Sequence, residues 1–404
     1  MGQLIEFATT RIGEVAVFDL DRSLTGQEGE AFTHSPEGNT PTSTLARRLW
    51  QRLPEIDTIH VLSNTVTIRS GRAWTEEDLE MAGETIARLF VYYEVPMPGE
   101  HEEALRLANY NATITSMREA NTELRIIRVT PDEPVPSFEA GQYTHLGLGY
   151  WEPRADEATE DFDPGSGRWD RMARRAYSVS SSIVDDHGDL VAPHPEAVEF
   201  YIVKVPPHLE EIPALTPRLF RKGVGDRLYM SHKFTGHYTL EGVGPDDTVL
   251  FLGTGTGEAP HNKMTAELLR SGHKGQILSV SCVRYRADLG YLEQHERAES
   301  RFPNYRFVPL TTREPENEGN KVYVQDYLRS GRAEKDLGVP LNPTKTHVFL
   351  CGNPLMIGLP TWQDETPTFP APTGVCEILH ERGFTIDRAG HRGNVHYEEY
   401  WKER

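Results

Sequence analysis

Four consecutive residues, Arg175-Ala176-Tyr177-Ser178, gather a guanidinium, an aromatic ring and a hydroxyl on one short stretch. A guanidinium can grip a pyrophosphate through two charge-assisted hydrogen bonds, and a phenol ring offers a flat face for stacking. The hydroxyl beside them can reach a ring nitrogen. Further along, Gly253-Thr254-Gly255-Thr256-Gly257-Glu258-Ala259-Pro260 follows an apolar run, Val249-Leu250-Phe251-Leu252. Such a run between turn signals suits a buried parallel strand. The glycines let the backbone come close to a bound group, and Pro260 presets the first turn of a helix. A helix N-terminus reached in this way seats a pyrophosphate. A third stretch, Cys351-Gly352-Asn353-Pro354, ends the apolar run Thr346–Leu350. In open α/β sheets ligands gather at the carboxyl ends of strands, where a small polarisable thiol can sit beside a flat ring without excluding it. Taken singly, each stretch has a plainer reading: an ordinary strand with an exposed arginine, a tight turn, a core thiol. Cys282 and Cys376 are read as core thiols.

The elements that must position these residues divide the chain into three domains, 1–108, 109–243 and 244–404. The first reads as a small α+β domain. Val15–Phe18 has strand character, and Ser43 or Thr44 can cap a helix with Leu45, Leu49 and Leu53 on one face. Thr58–Leu62 and Thr65–Ile68, joined at Ser63-Asn64, carry a hairpin signature. Thr75 with Asp78 opens a second helix bearing Leu79, Ile86, Leu89, Phe90 and Tyr93, which Val95–Gly99 ends. From Thr113 the pattern changes to short strands: Leu124–Val129, Gln142–Leu148, Ala176–Val179, Glu199–Val205 and Arg227–Met230. That spacing suggests a small antiparallel barrel. Residues 151–173 are acidic and aperiodic, and read as a surface insertion. After Thr248, the apolar runs Val249–Leu252, Ile277–Val280, Phe307–Leu310 and His347–Leu350 alternate with helical patterns, which argues for a doubly wound α/β sheet.

The motifs fall in a telling order: Arg175–Ser178, Glu199–Val205, Thr216-Pro217-Arg218-Leu219, Thr235–Leu240, the glycine turn, then Cys351–Pro354. In that order residues 110–401 resemble the ferredoxin–NADP⁺ reductase family, and the ending His396–Trp401 resembles its bacterial branch. The resemblance implies an antiparallel β-barrel that binds FAD and an α/β domain that binds NADP(H). Arg175, Ala176, Tyr177 and Ser178 would hold the FAD pyrophosphate and flavin. Tyr201, Ala214, Leu215 and Thr216 would complete the cradle, with Thr256 reaching it from the other domain. Tyr400 would stack on the flavin and Trp401 cover the FAD adenine. Gly253, Gly255 and Gly257, then Gly352, Asn353 and Pro354, would line the nucleotide site. Val283, Arg284, Thr312, Arg313, Lys321, Tyr323 and Gln325 would form the 2′-phosphate and adenine pocket, in which cations meet a dianion and a ring stacks on the base. Ser178, Cys351, Glu398 and Tyr400 would surround the reacting atoms. The implied activity is electron exchange between reduced ferredoxin, or flavodoxin, and NADP(H) through FAD. In the first domain, Leu45–Trp50, Ile56–Ile68 and Trp74 resemble the N-terminal domain of NifU-like iron–sulfur scaffold proteins.

Composition limits the alternatives. The chain has 404 residues and a net charge of −19, with no basic stripe for nucleic acid. Its three cysteines form no CxxC, which speaks against a zinc site, a cluster or a disulfide scaffold. No apolar run approaches a membrane span, and Met1–Glu6 lacks the pattern of a secretory signal, so a cytoplasmic location is expected. Beyond residue 110 acidic side chains still outnumber basic ones. An acidic carrier would therefore need a local patch, for which Arg171, Arg174, Arg218, Arg221 and Lys222 are candidates. Two further readings stay open: an NADPH-dependent flavoenzyme with a dedicated acceptor, and an adaptor for iron–sulfur assembly proteins acting through the first domain.

Overall fold

The structure, a computed structural model, describes residues 4–26, 28–90, 100–155, 170–192, 196–204, 214–363 and 365–400. The chain divides into two compact units, Met1–His101 and Glu102–Arg404.

In the first unit, strands β1 (Phe7–Ile12), β2 (Val15–Leu20), β3 (Glu30–Phe32), β4 (Ile56–Leu62) and β5 (Thr65–Ser70) form one antiparallel sheet in the order β1-β2-β5-β4-β3. Burial alternates along β2 and β5, so Ala16, Phe18, Val66 and Ile68 face one core. Helices α1 (Pro41–Arg52) and α2 (Glu76–Ala87) cover that face with Leu45, Leu49, Ala82 and Ile86. The cap of α1 is Thr40, whose hydroxyl accepts from Ser43 N at 3.1 Å. Ser43 and Thr44, the expected caps, lie inside the helix because Pro41 already fits its first position. At α2 the expected pair holds, Thr75 and Asp78 each accepting from the other's backbone N–H. Tyr93 and Val95–Gly99 lie outside the described residues. β1 escaped the sequence reading because all six of its residues are exposed, which leaves no alternation to detect.

α3 (Glu100–Asn109) runs across the boundary into the second unit and is followed by β6 (Ala112–Asn121), β7 (Leu124–Pro131), β8 (Tyr143–Gly149), β9 (Met172–Ser178), β10 (Val198–Val203), the short helix α4 (Thr216–Leu219) and β11 (Arg227–Met230). The six strands run in the order β10-β7-β6-β11-β8-β9, all antiparallel. A bridge between Ser180 and Glu199 joins the two edges and closes the barrel. β6 was not foreseen, since two register shifts break its alternation. The expected surface insertion at 151–173 needs correction at its ends. Trp151 and Glu152 are buried in the barrel, where Tyr110, Arg106 and Lys222 bond the Glu152 carboxylate, and Met172-Ala173 already belongs to β9. Residues 156–169 lie outside the described part.

The remainder is a parallel sheet: β12 (Thr248–Thr254), α5 (Glu258–Arg270), β13 (Ile277–Val283), α6 (Leu292–Arg301), β14 (Tyr305–Thr311), α7 (Val324–Arg329), α8 (Arg332–Leu337), β15 (Thr346–Gly352), α9 (Pro354–Ile357), a hairpin of β16 (Thr361–Gln363) and β17 (Thr366–Thr368), α10 (Val375–Glu381) and β18 (Val395–Glu399). The order β14-β13-β12-β15-β18 starts at the centre, runs outward, then returns to the other side of β12. α5 and α6 bury Met264, Leu268 and Ala298 on one face, while α7, α8 and α10 bury Leu328, Leu337 and Leu379 on the other. This is the doubly wound arrangement read from the apolar runs, and its switch point lies between β12 and β15. Among the described residues no helix is long and apolar enough to cross a membrane.

Candidate active site at the switch point

Two close approaches lock the carboxyl ends of β12 and β15 together. A Cβ on Gly257 would stand 2.2 Å from the carbonyl oxygen of Cys351, so only a glycine lets the turn pass β15. Gly352 has φ +124°, where a Cβ would lie 2.3 Å from Thr254 Oγ1. Thr254 Oγ1 instead accepts from Asn353 N at 2.7 Å, and Asn353 caps α9 through Leu355 N at 2.8 Å. Gly253 is the last buried residue of β12; Gly255 opens a 3₁₀ turn that runs directly into α5, whose third residue is Pro260.

The neighbouring strand β18 sets Glu398 opposite Cys351 in register. Ser178, at the end of β9, donates from Oγ to Glu398 Oε2 at 2.9 Å, which carries the barrel edge to the sheet. Tyr400 packs with the apolar cluster that contains Cys351, and its hydroxyl donates to the Thr256 carbonyl at 2.8 Å. The fold thus gathers Ser178, Thr256, Cys351, Glu398 and Tyr400 from barrel, glycine turn and two parallel strands. Burial pushes the Glu398 carboxyl up to about 7, against the opposing pull of the Ser178 hydrogen bond. Burial and the nearby Glu398 push the fully buried Cys351 thiol well above its ordinary range. Cys351 therefore stays a neutral thiol.

On the barrel side, Arg175 and Ala176 are exposed, and Tyr177 meets Phe200 edge-on with ring centroids 6.4 Å apart. Arg175 bonds only the Arg174 carbonyl, at 2.9 Å, and has no carboxylate partner among the described residues. Buried Ala214, Leu215 and Thr216 lead into α4. Tyr201 stands apart from the gathered group, at the seam between barrel and sheet. Its hydroxyl donates to Asp288 O and accepts from Gly290 N, both at 2.9 Å, and its ring meets Tyr291 edge-on. The anticipated basic patch shrinks. Arg218 is 1% exposed and donates to the carbonyls of Ala214 and Tyr150, while Lys222 pairs with buried Glu152. Arg171, Arg174, Arg175 and Arg221 remain exposed. Trp401 lies outside the described residues.

Beyond Tyr400 opens a cleft of ≈ 700 Å³. Of the residues expected there, Gly255, Thr256, Val283, Arg284, Thr312, Tyr323, Gln325 and Asn353 line it. Gly253, Gly257, Gly352, Pro354, Arg313 and Lys321 are not part of its wall. Thr312 spends its hydroxyl on the Val283 carbonyl at 3.1 Å. Sequence reasoning missed Arg329, Asp326 and Cys282, which do line the cleft. Arg329 is exposed and forms no ion pair among the described residues. Its signal was its position at i+4 from Gln325 on the same helix. A second cleft, of ≈ 620 Å³ between the 135–140 loop and α5, contains none of the expected residues.

A barrel edge packed against the switch point of a doubly wound sheet, with a glycine turn at its centre, defines a nucleotide-dependent oxidoreductase, and residues 251–359 match the oxidoreductase NAD-binding domain family. The chain is similar in sequence to ferredoxin–NADP reductases. It is 29% identical over 233 residues to the flavodoxin/ferredoxin–NADP reductase of Escherichia coli, covering 57% of this chain and 81% of that one. With the ferredoxin–NADP reductase of Azotobacter vinelandii it shares 26% over 313 residues, 75% of this chain and 98% of the relative. In fold it is similar to a ferredoxin NADP⁺ reductase from Neisseria gonorrhoeae with bound FAD and NADP, at TM-score 0.53, 19% identity, and coverage of 72% and 99%. The resemblance of residues 1–108 to the NifU-like domain rests on their own motifs alone.

Proposed function

We propose that the chain is a flavoenzyme that exchanges electrons between reduced ferredoxin, or flavodoxin, and NADP(H) through FAD. The observation that carries this reading is the Ser178–Glu398 bond, which sets the end of the barrel motif beside Cys351 and Tyr400 at the mouth of the nucleotide cleft. The residues suit both groups. Arg175, with no carboxylate partner among the described residues, stands beside Tyr177 and Ser178 and suits a pyrophosphate joined to a flat ring system. A glycine turn feeding the N-terminus of the thirteen-residue α5, with Arg284 and Arg329 lining the same cleft, suits an anionic nucleotide. When bound, FAD supplies the step between one-electron carriers and two-electron nicotinamide. The chain's own residues bind, orient and handle the proton. Arg175 anchors, Tyr177 stacks, and buried Cys351 leaves room for the nicotinamide. Tyr400 occupies the seat that the nicotinamide must take. Glu398, with its carboxyl near neutrality, holds or releases a proton at Oε2 through Ser178 Oγ.

The test is the identity of the cofactor and of its reductant. The purified protein should be yellow and release FAD on mass analysis, and NADPH should reduce it far faster than NADH. FMN alone, no flavin after gentle purification, or equal rates with both nucleotides would overturn the reading. One observation favours a dedicated acceptor as the second reading: Arg218 and Lys222 are withdrawn from the patch that would steer an acidic carrier.

A further inference from the structure

At the tip of the β6–β7 hairpin, Glu123 reaches from the barrel to the nucleotide cleft. Its carboxylate accepts from Arg284 Nη2 at 2.9 Å, while Arg284 Nε donates to Asp288 at 3.2 Å. All three residues line the ≈ 700 Å³ cleft. This pairing is built in by its surroundings. Asn121 Nδ2 donates to the Ala287 carbonyl at 3.0 Å and to Asp288 Oδ1 at 2.9 Å, pinning the hairpin over the turn that follows Arg284. Arg118 adds a bond to the Gly290 carbonyl at 2.7 Å. The backbone of Glu123 is held from both sides, its N–H by Asn121 Oδ1 at 2.9 Å and its carbonyl by Lys204 N at 2.7 Å. A carboxylate is thereby fixed beside one particular cation. Arg313, Lys321 and Arg329 have no such partner among the described residues.

We propose that Glu123 is a specificity-determining residue: with Asp288 it occupies Arg284 until a 2′-phosphate displaces it, and so it limits the preference for 2′-phosphorylated over unphosphorylated nucleotide. This rests on the reading of the cleft as an NADP(H) site. A nucleotide with a free 2′-hydroxyl has nothing to exchange for the Glu123–Arg284 bond and leaves it intact. A 2′-phosphate gains the guanidinium only by breaking that bond and by approaching a fixed negative charge. The Arg284 and Glu123 side chains are 44% and 48% exposed, so the pair is a weak one. Pairs of this kind set the scale at roughly two- to fivefold in affinity.

The test is calorimetric binding of 2′,5′-ADP and of 5′-AMP to the full-length purified protein. Four forms are compared: wild type, Glu123→Gln, Arg284→Ala and the double variant. Glu123→Gln should raise the ratio of affinities for 2′,5′-ADP over 5′-AMP about two- to fivefold, and should do nothing to that ratio once Arg284 is alanine. If Arg284→Ala lowers the ratio but Glu123→Gln leaves it where it was, the proposal falls while the NADP(H) site stands. An equal rise with and without Arg284 would also overturn it, since the effect would then be a general field and not competition for one guanidinium. If the wild type itself does not distinguish the two ligands and Arg284→Ala changes nothing, the NADP(H) reading fails and the proposal with it.

Discussion

Glu398 is the buried carboxyl near the end of β18 that Ser178 bonds. Its folded carboxyl titrates near 7 while an unfolded one titrates near 4.5, because burial penalises the charged form. Between those values the folded chain holds the proton and the unfolded chain does not. The stability Glu398 contributes is thus fully present below about pH 4.5 and is lost as pH rises through about 7. Glu398→Gln should remove that slope, flattening the pH dependence of unfolding in urea by on the order of 1–3 kcal/mol across the window. It should also abolish a carboxyl infrared band that titrates near 7. A slope and band that survive the substitution would assign both to another group. At this scale the sequence was a partial guide. Ser178, Cys351 and Tyr400 could be picked out by motif, and the fold brings them together. The engagement of Arg284 by Glu123 was illegible, because the two are 161 residues apart and no local pattern links a hairpin tip to a strand end.

Elements were legible wherever burial imposed a period. The apolar runs of β12, β13 and β15 lie buried on both faces and announce themselves, and the edge strand β14 still carries Phe307 and Leu310 buried. β18 does not, since Val395-His396-Tyr397-Glu398-Glu399 spends its polar residues on the site and on the His396–Asp387 bond at 2.8 Å. Its identity as a strand is a fact of pairing with β15 and not of composition. The glycine turn was visible, but the reason for its last glycine was not: Gly257 has an ordinary helical φ of −58°, and the constraint is the Cys351 carbonyl. Gly257→Ala should force β15 and α5 apart and destabilise the chain by about 1–3 kcal/mol in urea unfolding, with weakened nucleotide binding. Unchanged stability would show that the approach between turn and strand is not tight.

At the scale of the whole molecule, the units separate at His101, and α3 already serves the barrel, since its Arg106 bonds the buried Glu152. Every residue proposed to bind or to handle electrons or protons lies in the second unit. The acidic balance of the chain leaves steering of an acidic carrier to a few exposed arginines. The measurement that tests the central claim most directly is NADPH-driven reduction of cytochrome c by the full chain, with and without added ferredoxin or flavodoxin. Reduction should be slow alone and should rise in a large, saturable way with one of the carriers, an increase that high salt suppresses. A rate that neither carrier changes, in a protein whose flavin NADPH reduces promptly, would contradict it.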